Sequence, residues 1–123
     1  MIDSTRFKHI SLCDTVDKPW GYEVLWAHSN DYVAKIMFIK PNCRMSLQFH
    51  TIKEETVYIM RGELKVWESE NEEDCTVLPP GYVYHVEPGR VHRFGATEES
   101  VMLIEVSTNH LDDIVRIKDD FNR

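Results

Sequence analysis

Residues 44–50 read Arg44-Met45-Ser46-Leu47-Gln48-Phe49-His50, and their alternation decides the fold. Successive side chains of a strand point to opposite faces, so Met45, Leu47 and Phe49 share one face and Arg44, Ser46, Gln48 and His50 the other. Two readings follow. The apolar face lies on a core and the polar face meets water, or the polar face lines a cavity in a small barrel while the apolar face packs on a second sheet or another subunit. Around this segment, candidate strands cover Glu23–Trp26, Tyr32–Lys40, Thr56–Met60, Glu63–Trp67, Cys75–Leu78, Tyr82–Val86, His92–Phe94 and Val101–Val106. Turns are explicit at Pro41-Asn42, Arg61-Gly62, Pro79-Pro80-Gly81 and Pro88-Gly89. Many short strands at this spacing predict an all-β antiparallel sandwich or small barrel. Only the end reads differently: Asn109 as N-cap, Asp112 in a first turn, and Leu111, Ile114 and Val115 at helical spacing predict a short C-terminal helix and tail over 109–123.

At 123 residues the chain fits one domain, residues 1–123, with residues 1–17 as an N-terminal arm. A balance of 14 Lys+Arg against 21 Asp+Glu gives a net charge of −7, so neither nucleic acid nor an anionic membrane is an expected partner. No apolar run reaches the length of a membrane span, and the start MIDSTRFKHISL has no run of signal-peptide length. The 3 cysteines, with no C-x-x-C pair, predict free thiols and a cytoplasmic protein.

Chemistry concentrates after the alternating strand. Gln48 and His50 point the same way, Glu55 opens the next strand, and His92 follows the turn Pro88-Gly89. Two imidazoles, a carboxylate and an amide oxygen form a set suited to a divalent transition metal. A bound cation would also account for polar groups inside a barrel, where they are costly unless paired or coordinated.

These residues resemble the two motifs of the cupin superfamily. Asn42, Gln48, His50, Glu55 and Gly62 follow the first, with Gln in place of its first His and Asn in place of its Gly, a substitution that left-handed backbone tolerates. Gly81, Gly89 and His92 follow the second. More narrowly, KPWGYE at 18–23, IKPNCRMSLQFH at 39–50 and LDDIVRIKDDFNR at 111–123 are similar to the isomerase domain of type II phosphomannose isomerases. The sequence departs from that pattern at Thr51-Ile52-Lys53, at Val57 and at Phe121-Asn122-Arg123. It carries no nucleotidyltransferase segment, so guanylyl transfer is not expected of it.

The resemblance implies a cupin-type double-stranded β-helix (a jelly-roll barrel) and one divalent metal ion on Gln48, His50, Glu55 and His92. Zinc is the first choice, with manganese, iron, cobalt or nickel also compatible. It implies a metal-dependent aldose–ketose isomerase acting on a sugar phosphate such as mannose 6-phosphate or fructose 6-phosphate. The alternative is a non-catalytic cupin that only binds a sugar or sugar phosphate. Glu105 and Lys40 are the candidate bases. Arg116 is the leading phosphate ligand and catalytic partner, with Lys53, Arg44 and Arg123 behind it, because guanidinium groups match phosphate oxygens. The competing role for Arg116 is a salt bridge to Asp112, Asp113 or Asp120. A homodimer is the expected assembly.

Overall fold

The computed structural model describes residues 2–123, so Met1, the first residue of the arm, lies outside the described residues. After a 3₁₀ turn at Ile10–Leu12 the chain forms β1 (Asp14–Lys18), β2 (Gly21–His28), β3 (Tyr32–Ile39), β4 (Leu47–Phe49), β5 (Glu55–Arg61), β6 (Leu64–Trp67), β7 (Cys75–Leu78), β8 (Val83–Val86), β9 (Arg93–Ala96), β10 (Val101–Thr108) and β11 (Val115–Lys118). A six-stranded sheet, β1-β2-β3-β10-β5-β8, faces a smaller layer made of β7-β6-β9 and the pair β11-β4. Isolated bridges from Arg44 to Gly95 and from Gln48 to His92 join those last two groups. Every ladder is antiparallel.

The inner faces change character along their length. On β10, Val101 and Leu103 point inward, then Glu105 and Ser107; on β3, Met37 and Ile39 share a face with Lys35. Register stacks Leu103 on Met37 and Ile59, and Glu105 on Lys35 and Val57. One end of the barrel is therefore filled by Ile39, Ile59, Leu64, Val101, Leu103 and their neighbours. The other end carries polar groups. Burial of the apolar layer drives the fold, and the polar layer above it is where a site can be built.

Two turns need special backbone. Asn42 sits at φ 59, as its place after Pro41 predicts, and Gly62 at φ 78 makes the turn by which the chain passes from β5 in one sheet to β6 in the other. A Cβ on Gly62 would stand 2.2 Å from the Ser100 carbonyl oxygen, so only glycine fits there.

Three expectations are corrected. First, on the polar face of residues 44–50, Ser46 and His50 are as inaccessible as Leu47, and Arg44 and Gln48 are partly buried. That rules out a polar face in water, and Met45 and Leu47 are covered within the chain, so they offer no surface to another subunit. Second, no helix forms over 109–123 among the described residues; the chain turns and then runs as β11 against β4. Ile114, Val115 and Ile117 are β-branched and fit a pleated surface better than a helix, and the pairing satisfies backbone groups of β4 that a helix would leave open. Asn109 caps nothing and instead bonds His28. Third, β1 was not anticipated, because Asp14–Lys18 holds a single large apolar residue and is an edge strand read in place by β2. No helix among the described residues is long and apolar enough to cross a membrane.

Candidate metal centre and cavity

The antiparallel bridge between Gln48 and His92, with N–H···O bonds of 3.0 and 2.9 Å, is what brings the two distant sequence motifs together. The Gly89 N–H donates to the His50 carbonyl at 2.7 Å and closes the second motif onto the first. Glu55, first residue of β5, lies opposite Ser107 and Val86 and points into the same space. As a result, ligand atoms of His50, Glu55 and His92 all lie within 4.8 Å of one another, and all three residues are buried.

The tautomers of both histidines follow from their partners. His50 Nδ1 stands 2.6 Å from the Asp113 carbonyl oxygen and His92 Nδ1 3.0 Å from that of Arg90. A carbonyl oxygen only accepts, so each Nδ1 carries the hydrogen. In the neutral rings each Nε2 then presents a lone pair, and both face the same Glu55 oxygen, at 3.6 Å from His50 and 3.1 Å from His92. Among the described residues neither Nε2 has a hydrogen-bond partner. Two lone pairs aimed at one carboxylate oxygen in a dry site repel one another and leave buried acceptors without a donor unless a cation sits among them. A second nitrogen held by a carbonyl is also the usual support of a metal-binding imidazole. The donor set fits a divalent cation.

Beside it, the Lys53 ammonium lies 3.0 Å from Glu55 Oε2 and 3.5 Å from Glu105 Oε1. Burial opposes the charge on Glu55, but the neighbouring Glu105 carboxyl, the His50 and His92 rings and the charge of Lys53 together hold its carboxyl well below the usual range. Glu105 moves the other way: burial first, then the neighbouring Glu55 charge, push its carboxyl well up. Two carboxyls so close divide into one ionised and one protonated group.

The cavity that opens here has a volume of about 110 Å³. Gln48, His50, Lys53, Glu55, Glu105, Arg116 and Arg123 all line it. Gln48 Oε1 already accepts a hydrogen bond from Ser46 Oγ at 2.6 Å, which orients the amide. Arg116 pairs across the strands with Gln48, so its side chain shares that residue's face; among the described residues it makes no salt bridge, and the alternative pairing with Asp112, Asp113 or Asp120 does not occur. Arg123 is held by Asp119 at 2.8 Å.

Other candidates fall elsewhere. Lys40 is exposed on the turn after β3 and does not line the cavity. Arg44 bonds Asp120 at 2.6 Å and Glu72, and lies over the Trp67 ring, lining a separate hollow. Its charge is spent on the outside of the smaller layer. Lys53 is in the cavity, but it is buried against carboxylates rather than free for an anion. His85 is exposed and paired with Glu54.

Several residues at the cavity were not anticipated. Lys18 lines the cavity without a salt bridge among the described residues, and Lys35, also on the lining, joins Glu23 at 3.1 Å. Lys35 had a signal: a charge on the inward face with Val33, Met37 and Ile39. Asp113 had none, since it acts across sixty positions of sequence.

Comparison with known proteins agrees with this geometry. The family model described as mannose-6-phosphate isomerase C-terminal matches residues 6–119. A mannose-1-phosphate guanylyltransferase from Sinorhizobium fredii is 24% identical over 122 residues, covering 96% of this chain and 23% of that protein, so the chain spans less than a quarter of that relative's length. A cupin-like protein from Thermotoga maritima superposes with a TM-score of 0.69 at 18% identity, over 80% of this chain and 76% of that one. A sugar phosphate isomerase of the cupin superfamily from Silicibacter pomeroyi does so with a TM-score of 0.62 at 18% identity, over 72% and 59%. The structural likenesses establish the double-stranded β-helix, and with the family match over nearly all its length the chain belongs to the mannose-6-phosphate isomerase C-terminal family of cupins.

Proposed function

We propose that this cavity binds a sugar phosphate beside a divalent cation and interconverts its aldose and ketose forms. The observation that carries the reading is that three features meet at one cavity. These are a cation-seeking donor set, a buried carboxyl with a raised pKa, and two cationic side chains free of carboxylate partners. His50, Glu55 and His92 would hold the cation, with Gln48 as the fourth donor. When bound, such a cation supplies Lewis-acid polarisation of a substrate carbonyl. Zinc is the favoured ion, although the mixed nitrogen and oxygen donors accept several.

The chain's own residues divide the remaining work. Glu105 Oε2 is buried with no hydrogen-bond partner among the described residues, and a carboxyl poised above its usual range suits proton exchange with a carbon acid near neutral pH. It is the group that would move the proton between adjacent carbons. Lys53 keeps Glu55 ionised beside it. Arg116 and Lys18, both on the cavity lining, would take the phosphate.

The test is an NMR assay of mannose 6-phosphate and fructose 6-phosphate with the protein loaded in turn with zinc, manganese, cobalt or iron. Interconversion is expected with at least one ion. Arg116→Ala should raise KM about tenfold to a hundredfold, the equivalent of losing one charge-assisted hydrogen bond. Binding of cation and sugar phosphate without turnover would leave the non-catalytic module; absence of both would overturn the reading.

The assembly proposed for it is a homodimer, in the reducing cytoplasm that suits three unpaired cysteines. Its support is the outer face of the six-stranded sheet, where Tyr58, Met60, Val83 and Val106 are all exposed. Such apolar clustering on a sheet face marks a contact surface. Sedimentation should give twice the chain mass, and Val106→Lys with Tyr58→Glu should return it to monomer; a monomeric parent protein would remove the dimer.

A further inference from the structure

We propose that Asp113 is a positioning residue for the cation site, a role that rests on the metal reading above. Asp113 stands outside the donor set, yet it touches it twice. Its main-chain carbonyl accepts from His50 Nδ1–H at 2.6 Å, which aims the Nε2 lone pair at Glu55. Its carboxylate accepts from the backbone N–H groups of Thr51 at 2.9 Å, Ile52 at 2.6 Å and Lys53 at 2.8 Å, and from Thr51 Oγ1 at 3.0 Å. Residues 51–53 are the whole connection between His50 and the segment that leads into Glu55 and carry Lys53 itself.

One side chain therefore gathers consecutive N–H donors of the ligand-bearing loop, and the same residue's backbone fixes the tautomer of a ligand. The two contacts are mechanically linked. The carboxylate is clamped by four donors, so the carbonyl of the same residue is held in place at His50 Nδ1. Free imidazole in water does not favour the Nδ1–H form, so the bond to Asp113 is what selects it. Outer partners of this kind typically change metal affinity by about 10–100-fold. The adjacent Asp112 is exposed and makes no side-chain hydrogen bond among the described residues, which makes it a matched control of equal charge.

The experiment measures cobalt or zinc affinity by titration calorimetry, and the imidazole tautomer by long-range ¹⁵N–¹H NMR on the metal-free protein. It compares the parent chain, Asp113→Asn and Asp112→Asn. Asparagine keeps the shape but offers one acceptor oxygen where two are used. Expected are a 10–100-fold weaker affinity and a mixed His50 tautomer in Asp113→Asn, with Asp112→Asn unchanged in both. Parent-like affinity and a single Nδ1–H tautomer in Asp113→Asn would overturn the proposal, as would an equal loss in Asp112→Asn, which would reduce the effect to charge. Should the parent chain take up no metal, the metal reading fails, and the tautomer comparison alone decides whether Asp113 positions His50. If Asp113→Asn does not fold, Thr51→Val removes one of the four donors and should give a smaller change in the same direction; no change in either readout would overturn the proposal.

Discussion

Lys53→Met is expected to destabilise the protein by about 3–5 kcal/mol at pH 8, the usual consequence of removing one partner from a buried ion pair. The ammonium lies between two carboxyls whose side chains are 2% and 5% exposed, so water cannot replace it. Burial opposes the Lys53 charge, but Glu105 and Glu55 outweigh that opposition and raise its pKa above the ordinary value. A raised lysine contributes stability that is fully present below its unfolded pKa and is lost only as pH climbs through the folded value. At pH 8 the whole contribution is therefore in force. In the variant, the stranded carboxyls can take up protons as pH falls, so the deficit should shrink toward pH 5. Urea unfolding at the two pH values measures this. A deficit below about 1 kcal/mol at both would mean that the ammonium is not the compensating charge.

Glu105→Gln should lower turnover by about 10²–10⁴-fold with little change in KM, the range for loss of a general acid–base group. Stability should respond in the opposite sense to that of Lys53→Met. Burial and the Glu55 charge raise the folded pKa of Glu105 above its ordinary value, so folding binds a proton that the unfolded chain releases. Stability of the parent protein therefore falls as pH rises from about 4.3, the ordinary glutamate value, through the folded pKa. Glutamine has no proton to lose, and the variant should gain on the parent as pH increases through that window. Undiminished turnover in the isomerase assay would remove Glu105 from the chemistry, whatever the stability series showed.

These two outcomes also mark the limits of reading the chain as text. Glu105 was legible because it alternates with Val101 and Leu103 on one face of a strand, and a lone acid on an apolar face asks for a partner. Lys53 was legible only as a cation near the metal motif. Its use against carboxylates depends on where β5 and β10 place Glu55 and Glu105, and nothing local to residue 53 reports that. Arg44 misled for the same reason: its neighbours Glu72 and Asp120 are far away in sequence and lie on the outside of the smaller layer. The C-terminal segment misled because helical spacing and strand propensity coincide over so few residues, and the unpaired edge of β4 decided between them.

Local pattern was enough for the all-β class, for most strand positions, for the left-handed turn at Asn42, and for the residues able to ligate a cation, because alternation, turn chemistry and side-chain donor type are properties of neighbouring residues. Only the folded chain decided that Ser46 and His50 are as buried as Leu47, which charges neutralise one another, that 115–118 runs as a strand against β4, and that Asp113 grips the loop after His50. Those outcomes depend on distances between side chains that the backbone brings together from opposite ends of the sequence, and electrostatic and hydrogen-bond energies act over ångströms in space rather than over positions along the chain.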